Sequence, residues 1–270
     1  MKALSILIKK NKIIILFFFI TSIFFSGCEK EKINPCSILV NGVFVYPAYP
    51  KDGWKSDDIW DEQRKYFSIP DNVLKCISTE GLIQSIINHP NYKVLLFAYS
   101  TWQQGFDRVS IECNGLSELV QRKDAISVLF KRYKEMNPLD FKKYSDSIES
   151  AKFQIDFWFI EIIMAQPVIF SKLTKDEKIV FFEFIIETYE KKIEADPLYG
   201  ISWSKLNLGI LARIMDNDNY QPFIKEYESC YLLENFVKTL FLTYNKDCNP
   251  KDIIYYYSKE YLETLKRTKK

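Results

Sequence analysis

From Ser147 to Met164 the chain carries apolar side chains on nearly every face of a helix. Phe153, Phe157, Ile160, Ile163 and Met164 fall on one side at three-and-four spacing, while Phe159 and Ile162 cover another. A helix that is apolar all round must be enclosed by other elements, so this stretch predicts the centre of a helical protein. Pro167 interrupts it, and Thr174-Lys175-Asp176-Glu177 then opens a long helix as a capping box. In such a box the threonine oxygen accepts from the N3 amide and the glutamate reaches back to the cap. Eight glycines in 270 residues leave few tight turns for strand reversals. Hydrophobic content of 47% and aromatic content of 16% call for a packed core rather than disorder. The expected fold is all-α: antiparallel helix pairs stacked in sequence, as an irregular α-solenoid-like array or a layered helical bundle. Breaks near 137, 172, 197, 218 and 247 are unevenly spaced, so no strict repeat is present.

The rest of the chain divides around these helices. Residues 1–27 read as a leader, 28–54 as a tether, 55–138 as an N-terminal helical subdomain, and 139–270 as a C-terminal subdomain sharing its core. The tether holds Pro35, Pro47 and Pro50 and has no helical period. Its Ser37–Tyr46 stretch, with Asn41-Gly42 as a turn signal, reads alternatively as a small β-hairpin packed on the helical body. Ser56-Asp57-Asp58 caps a helix bearing Ile59 and Trp60, Pro70 starts a short one, and Thr79-Glu80 caps another. Tyr92 to Tyr99 is a continuous apolar run that suits a buried helix or a buried strand equally. Pro222 and Pro250 mark first turns of later helices.

The first 28 residues bear on location. Lys2, Lys9, Lys10 and Lys12 form a basic head, Ile13 to Phe25 an apolar core, and Ser26-Gly27-Cys28 a small-residue exit. This is the layout of a secretory signal peptide, with a core shorter than the roughly 20 residues a spanning helix needs. Phe25-Ser26-Gly27-Cys28 resembles the lipobox of bacterial lipoproteins, although Phe25 stands where leucine is usual. The resemblance implies acylation of Cys28 and a membrane anchor of several fatty-acyl chains, which is durable because each buried methylene contributes about 0.8 kcal/mol. The leader holds four lysines and no acids, so of 37 basic and 35 acidic residues in all, 33 basic and 35 acidic remain beyond it. A net charge of −2 there offers no footprint for nucleic acid. Cys36, Cys76, Cys113, Cys230 and Cys248 are odd in number and lack the Cys-x-x-Cys spacing. They read as buried thiols or as one or two bridges, with Cys230–Cys248 the first pair to test because a short helical hairpin would bring them together.

Signals for chemistry are sparse. The single histidine, His89, precedes Pro90 at a helix end and reads as a cation against the negative end of the helix dipole. No phosphate loop, zinc-protease motif or nucleophile elbow occurs, and no cofactor or metal is implied. Asp216-Asn217-Asp218-Asn219 lacks the glycine and distal glutamate of a calcium loop. Asp57, Asp58, Asp61 and Glu62 near Trp54 and Trp60 offer a carbohydrate-contacting patch or a carboxylate hydrolase, but helix capping alone explains their spacing. The loop Tyr99–Asp107 sets Trp102 beside Gln103, Gln104 and Gly105, a composition suited to polar recognition or, more plainly, to a helix terminus. Trp54, Trp60, Trp102, Gln103 and Gln104 are therefore the candidate ligand contacts.

Across about Tyr46 to Pro138 the chain resembles a set of uncharacterised lipoproteins from gut and oral Bacteroidetes. The residues that carry the resemblance are Ile69-Pro70-Asp71-Asn72-Val73-Leu74, Ser78-Thr79-Glu80-Gly81-Leu82, Gln104-Gly105-Phe106-Asp107, Asn114-Gly115-Leu116 and Arg122-Lys123-Asp124-Ala125. The likeness implies a lipid-anchored protein of the bacterial outer membrane and assigns no activity or functional residue. Glu29-Lys30-Glu31-Lys32 is half acidic, which leaves the periplasmic and cell-surface faces both open. The expected role is non-enzymatic binding or scaffolding of a protein or glycan; a carboxylate-dependent, glycan-acting hydrolase and a purely structural envelope component are the alternatives.

Overall fold

A computed structural model describes residues 34–194 and 205–267. The leader, Cys28, residues 195–204 and residues 268–270 lie outside the described residues. Residues up to Ser37 form a unit of their own, of which 34–37 are described, and the helical body comprises the residues from Ile38 onward. Its longer helices are α1 (Ile59–Tyr66), α2 (Thr79–Ile87), α3 (Trp102–Glu112), α4 (Ala125–Glu135), α5 (Ser147–Met164), α6 (Lys175–Glu194), α7 (Lys205–Asn217), α8 (Tyr231–Thr239) and α9 (Pro250–Arg267). Short helical turns join them, among them Asp71–Leu74, Tyr92–Phe97, Asn114–Leu119 and Pro167–Phe170. The fold is all-α. Among the described residues the hairpin expected near Asn41-Gly42 is reduced to one isolated bridge, Val40 to Val43. No helix among them is long and apolar enough to cross a membrane.

Local chemistry accounts for most boundaries. Asp146 caps α5 by accepting from the Ile148 amide at 2.8 Å. Glu177 Oε2 accepts from the Thr174 amide at 2.9 Å and Thr174 Oγ1 accepts from the Glu177 amide at 3.4 Å, which completes the capping box before α6. Asp58 caps α1. One cap moves: Ser78, not Thr79, accepts from the Gly81 amide and starts α2. Thr79 instead donates its hydroxyl to Asp124 at 2.9 Å, a partner 45 positions along the chain.

α5 and α7 form the middle of the body. Every residue of α5 from Phe157 to Met164 is buried, as is every residue of α7 from Leu206 to Met215. α7 packs against α5, α6, α8 and α9, and α5 packs against α3, α4 and α7. That is a layered bundle rather than a solenoid, in which each unit would touch only its neighbours in sequence. One continuous core runs from Phe44 to Leu262. Arg213 of α7 ties the layers together: its guanidinium donates to Val237 O at 2.7 Å, Lys238 O at 2.9 Å and Ala165 O at 3.3 Å. These carbonyls belong to the last turns of α8 and the end of α5, where no intrahelical amide remains to serve them. Burial pulls Arg213 down to about 10, which leaves it charged at neutral pH beside two negative helix ends.

Residues of the resembling motifs hold the N-terminal half together. The Asn114 side chain brackets Ile69, accepting from its amide at 3.0 Å and donating to its carbonyl at 2.8 Å. Arg122 donates to Leu74 O at 2.7 Å and Ile77 O at 2.8 Å, closing the turn that precedes α2. Part of the stretch expected as a tether also lies on the body. Phe44 is buried, its amide donates to Ser85 Oγ at 2.9 Å, and the Ser85 hydroxyl donates to Gly81 O at 2.7 Å. Cys230 and Cys248 form a disulfide with 5.3 Å between their Cα atoms, within the usual range for a bridge. Cys113 is a free, buried thiol.

Candidate functional site

Asp58, Asp61 and Glu62 are engaged within α1 and the turn ahead of it. Asp58 Oδ1 accepts from the Asp61 amide at 3.0 Å. Glu62 Oε2 accepts from the Lys55 and Ser56 amides at 2.9 and 2.8 Å, and Asp61 pairs with Arg64 and, at 2.6 Å, with Lys65. Trp54 sits in an aromatic cluster, with ring centres 6.0, 5.5 and 5.9 Å from Tyr49, Tyr66 and Phe67. Trp60 is half-exposed beneath the Arg108 guanidinium, 5.9 Å from its ring centre. Each tryptophan is therefore held by a different set of neighbours.

His89 departs from the sequence expectation. It lies two residues beyond the end of α2, yet it is buried against Tyr46 and Phe67, with ring centres 5.0 and 6.0 Å away. Its Nδ1 accepts from the Asn91 amide at 3.2 Å, and its Nε2 has no partner. Burial lowers its pKa to about 4, so the ring is neutral at pH 7 and not the expected cation. The dipole of a helix end is worth about 0.3–1 kcal/mol to a charged side chain, too little to offset that desolvation. Between pH 6.5 and about 4 the unfolded chain binds a proton at this position and the folded chain does not. Stability should therefore fall as pH drops through that window, by about 3 kcal/mol in total at this site. Urea unfolding at pH 7 and pH 4.5 checks this: His89→Gln should lose distinctly less stability on acidification than the parent chain.

The start of the Tyr99–Asp107 stretch, Tyr99 to Trp102, forms one wall of a cavity of about 220 Å³. Thr101 caps α3 by accepting from the Gln104 amide at 3.2 Å, which places Trp102 in the first turn. Trp102 lines the cavity with Phe97, Tyr99, Phe241 and the side chain of Lys205 at the start of α7. Gln103 and Gln104 do not line it. Gln103 donates to Asp107 at 2.7 Å and Gln166 at 3.2 Å, and Gln104 is exposed. Of the five candidate contacts, the structure sets only Trp102 in this cavity. Sequence reasoning missed Lys205, because a lone lysine about a hundred residues downstream carries no local signal.

A larger groove of about 500 Å³ lies along the exposed side of α4 and α5. Glu80, Glu135, Glu149 and Asp156 supply its acids and Arg132 and Lys152 its bases, above a floor that includes Phe153 and Ile160. Some of these charges are paired within the protein: Arg132 with Glu80 at 3.2 Å, and Asp156 with Lys93 at 3.2 Å and with the Tyr92 hydroxyl. Glu149 and Lys152 belong to the first turns of α5, where the helix emerges from the core.

Deeper still, four helices share a polar cluster. Glu161 Oε1 accepts from Lys192 Nζ at 2.6 Å and from the Tyr133 hydroxyl at 2.5 Å, and Asn207 Nδ2 donates to that hydroxyl at 2.9 Å. Neither Glu161 nor Lys192 reaches solvent. Burial pushes the carboxyl up and the ammonium down, and each charge opposes the shift of the other. The cluster has no opening for a substrate and serves the packing. Among the described residues no group of three or more histidine, cysteine or acidic side chains is placed to hold a metal ion.

Fold and surface together define a helical bundle whose described residues include a mixed-charge groove along α4 and α5 and a small aromatic cavity at Trp102. No protein-family model, no curated protein and no solved structure matches this chain.

Proposed function

We propose that this protein is a lipid-anchored component of the bacterial outer membrane whose helical body binds a protein or glycan without transforming it. The groove along α4 and α5 carries this reading. It sets acids and bases of both signs over an apolar floor, with Tyr144 and Phe153 as ring surfaces. Such an arrangement suits a polar chain recognised by hydrogen bonds and stacking. The engagement of Asp58, Asp61 and Glu62 within and around α1 points the same way, since these are three of the four acids, with Asp57, that offered a hydrolytic pair. The anchor rests on the lipobox resemblance at Cys28.

The test uses the full chain expressed in a bacterium. Labelled palmitate should enter the parent protein and not Cys28→Ala. The purified chain should retain soluble envelope polysaccharide or an envelope protein with a saturable isotherm. The double change Glu149→Lys with Lys152→Glu should weaken that binding at least about tenfold, because it inverts the charge pattern of the groove without touching the core. An unlabelled parent protein sinks the anchor; unaltered binding in the double variant, or turnover of the retained polymer, sinks the groove.

A further inference from the structure

The cavity at Trp102 has features that the groove does not explain. Phe97, Tyr99 and Phe241 stand around it 45%, 44% and 46% exposed. Large rings gathered half-open at one opening mark a binding surface more often than leftover core. The Phe97 and Trp102 rings meet edge to face at 5.4 Å, so one wall is already set in an aromatic packing geometry. Against these rings lies one cation. Lys205 is partly buried, and that burial lowers its pKa. The remaining polar groups of the wall are the Ser100 and Thr101 hydroxyls. Among the described residues no acidic side chain lines the cavity, so Lys205 is its one charged lining residue there.

We propose that this cavity binds a small aromatic carboxylate, its ring seated among Phe97, Trp102 and Phe241 and its carboxylate on Lys205. The volume supports the size: about 150 Å³ suffices for benzene, so about 220 Å³ takes one ring with a short carboxylate arm. One ammonium matches a monovalent anion, whereas a dianionic phosphate would be left half-compensated. An aromatic cage alone would favour a cation, but Lys205 repels one. The inference concerns residues outside the groove, so each reading can fail without the other.

Calorimetric titration of the full-length chain with phenylacetate, benzyl alcohol and phenethylamine tests it. Phenylacetate should bind saturably, at least about tenfold more tightly than benzyl alcohol, and phenethylamine should not bind, because the ammonium pairs with the carboxylate and repels the amine. Lys205→Met should abolish the preference for the anion over the alcohol, and Lys205→Arg should keep it. Absence of saturable phenylacetate binding up to about 10 mM, equal affinity for anion and alcohol, or an unchanged preference in Lys205→Met overturns the proposal. The anion-to-alcohol comparison on the unaltered chain decides the matter even if the methionine variant does not fold.

Discussion

Lys192→Met should destabilise the protein by about 3–5 kcal/mol, read as a lower urea midpoint, because it strands the Glu161 carboxylate in the core. The charge compensation is specific. Lys192 Nζ lies 2.6 Å from Glu161 Oε1 and 4.8 Å from the centre of the Phe157 ring, and neither member of the pair reaches water. The second carboxylate oxygen has no partner, so the pair is incompletely satisfied even when intact. A buried ion pair of this kind adds little net stability compared with apolar groups of the same shape, but removing one member leaves the full desolvation penalty of the other. The double variant Glu161→Gln with Lys192→Met should therefore recover much of the loss. If Lys192→Met alone is as stable as the parent, the pair is not closed to solvent and this account of the core is wrong.

Gly81→Ala should cost about 3 kcal/mol, at the upper end for a single added methyl. A Cβ there would stand 2.1 Å from Gly42 O, so two main chains would have to part: the first turn of α2 and the turn at Asn41-Gly42. No rotamer can relieve that contact. Gly115→Ala is the comparison, since its Cβ would meet the tip of the Ile69 side chain at 3.0 Å, which can give way. Alanine gains about 1 kcal/mol of helix propensity over glycine at both sites, so the difference isolates the collision. Thermal unfolding should rank Gly81→Ala well below Gly115→Ala; equal melting temperatures would falsify the close approach.

The helices were legible where local chemistry was strong. Ser147 to Met164 shows its full extent in the spacing of phenylalanine and isoleucine, and Asp146 and Pro167 bracket it. Thr174-Lys175-Asp176-Glu177 and Pro250 announced α6 and α9 in the same way. The ambiguous run at Tyr92 resolved as a helical turn, Tyr92–Phe97, whose Tyr92 stacks on Phe159 at 4.5 Å. Errors arose where a distant partner outbid a near one. Thr79 left the cap of α2 for Asp124, and His89 gave up the helix dipole for an aromatic enclosure. Of the candidate site, Trp102 stood out as a tryptophan among amides, and Lys205 did not stand out at all.

Read alone, the amino-acid order determined that this chain is helical, where α5 and α6 begin, and that the Ser147–Met164 segment must be enclosed. Those outcomes depend on side chains within a turn or two of each other, and periodicity, caps and prolines encode them directly. Only the tertiary structure decided that Glu161 and Lys192 meet out of reach of water, that Gly81 touches Gly42, and that Lys205 faces Trp102 across a cavity. Each of those depends on how helices far apart in the chain stack, and burial, not residue type, sets what a polar group then does.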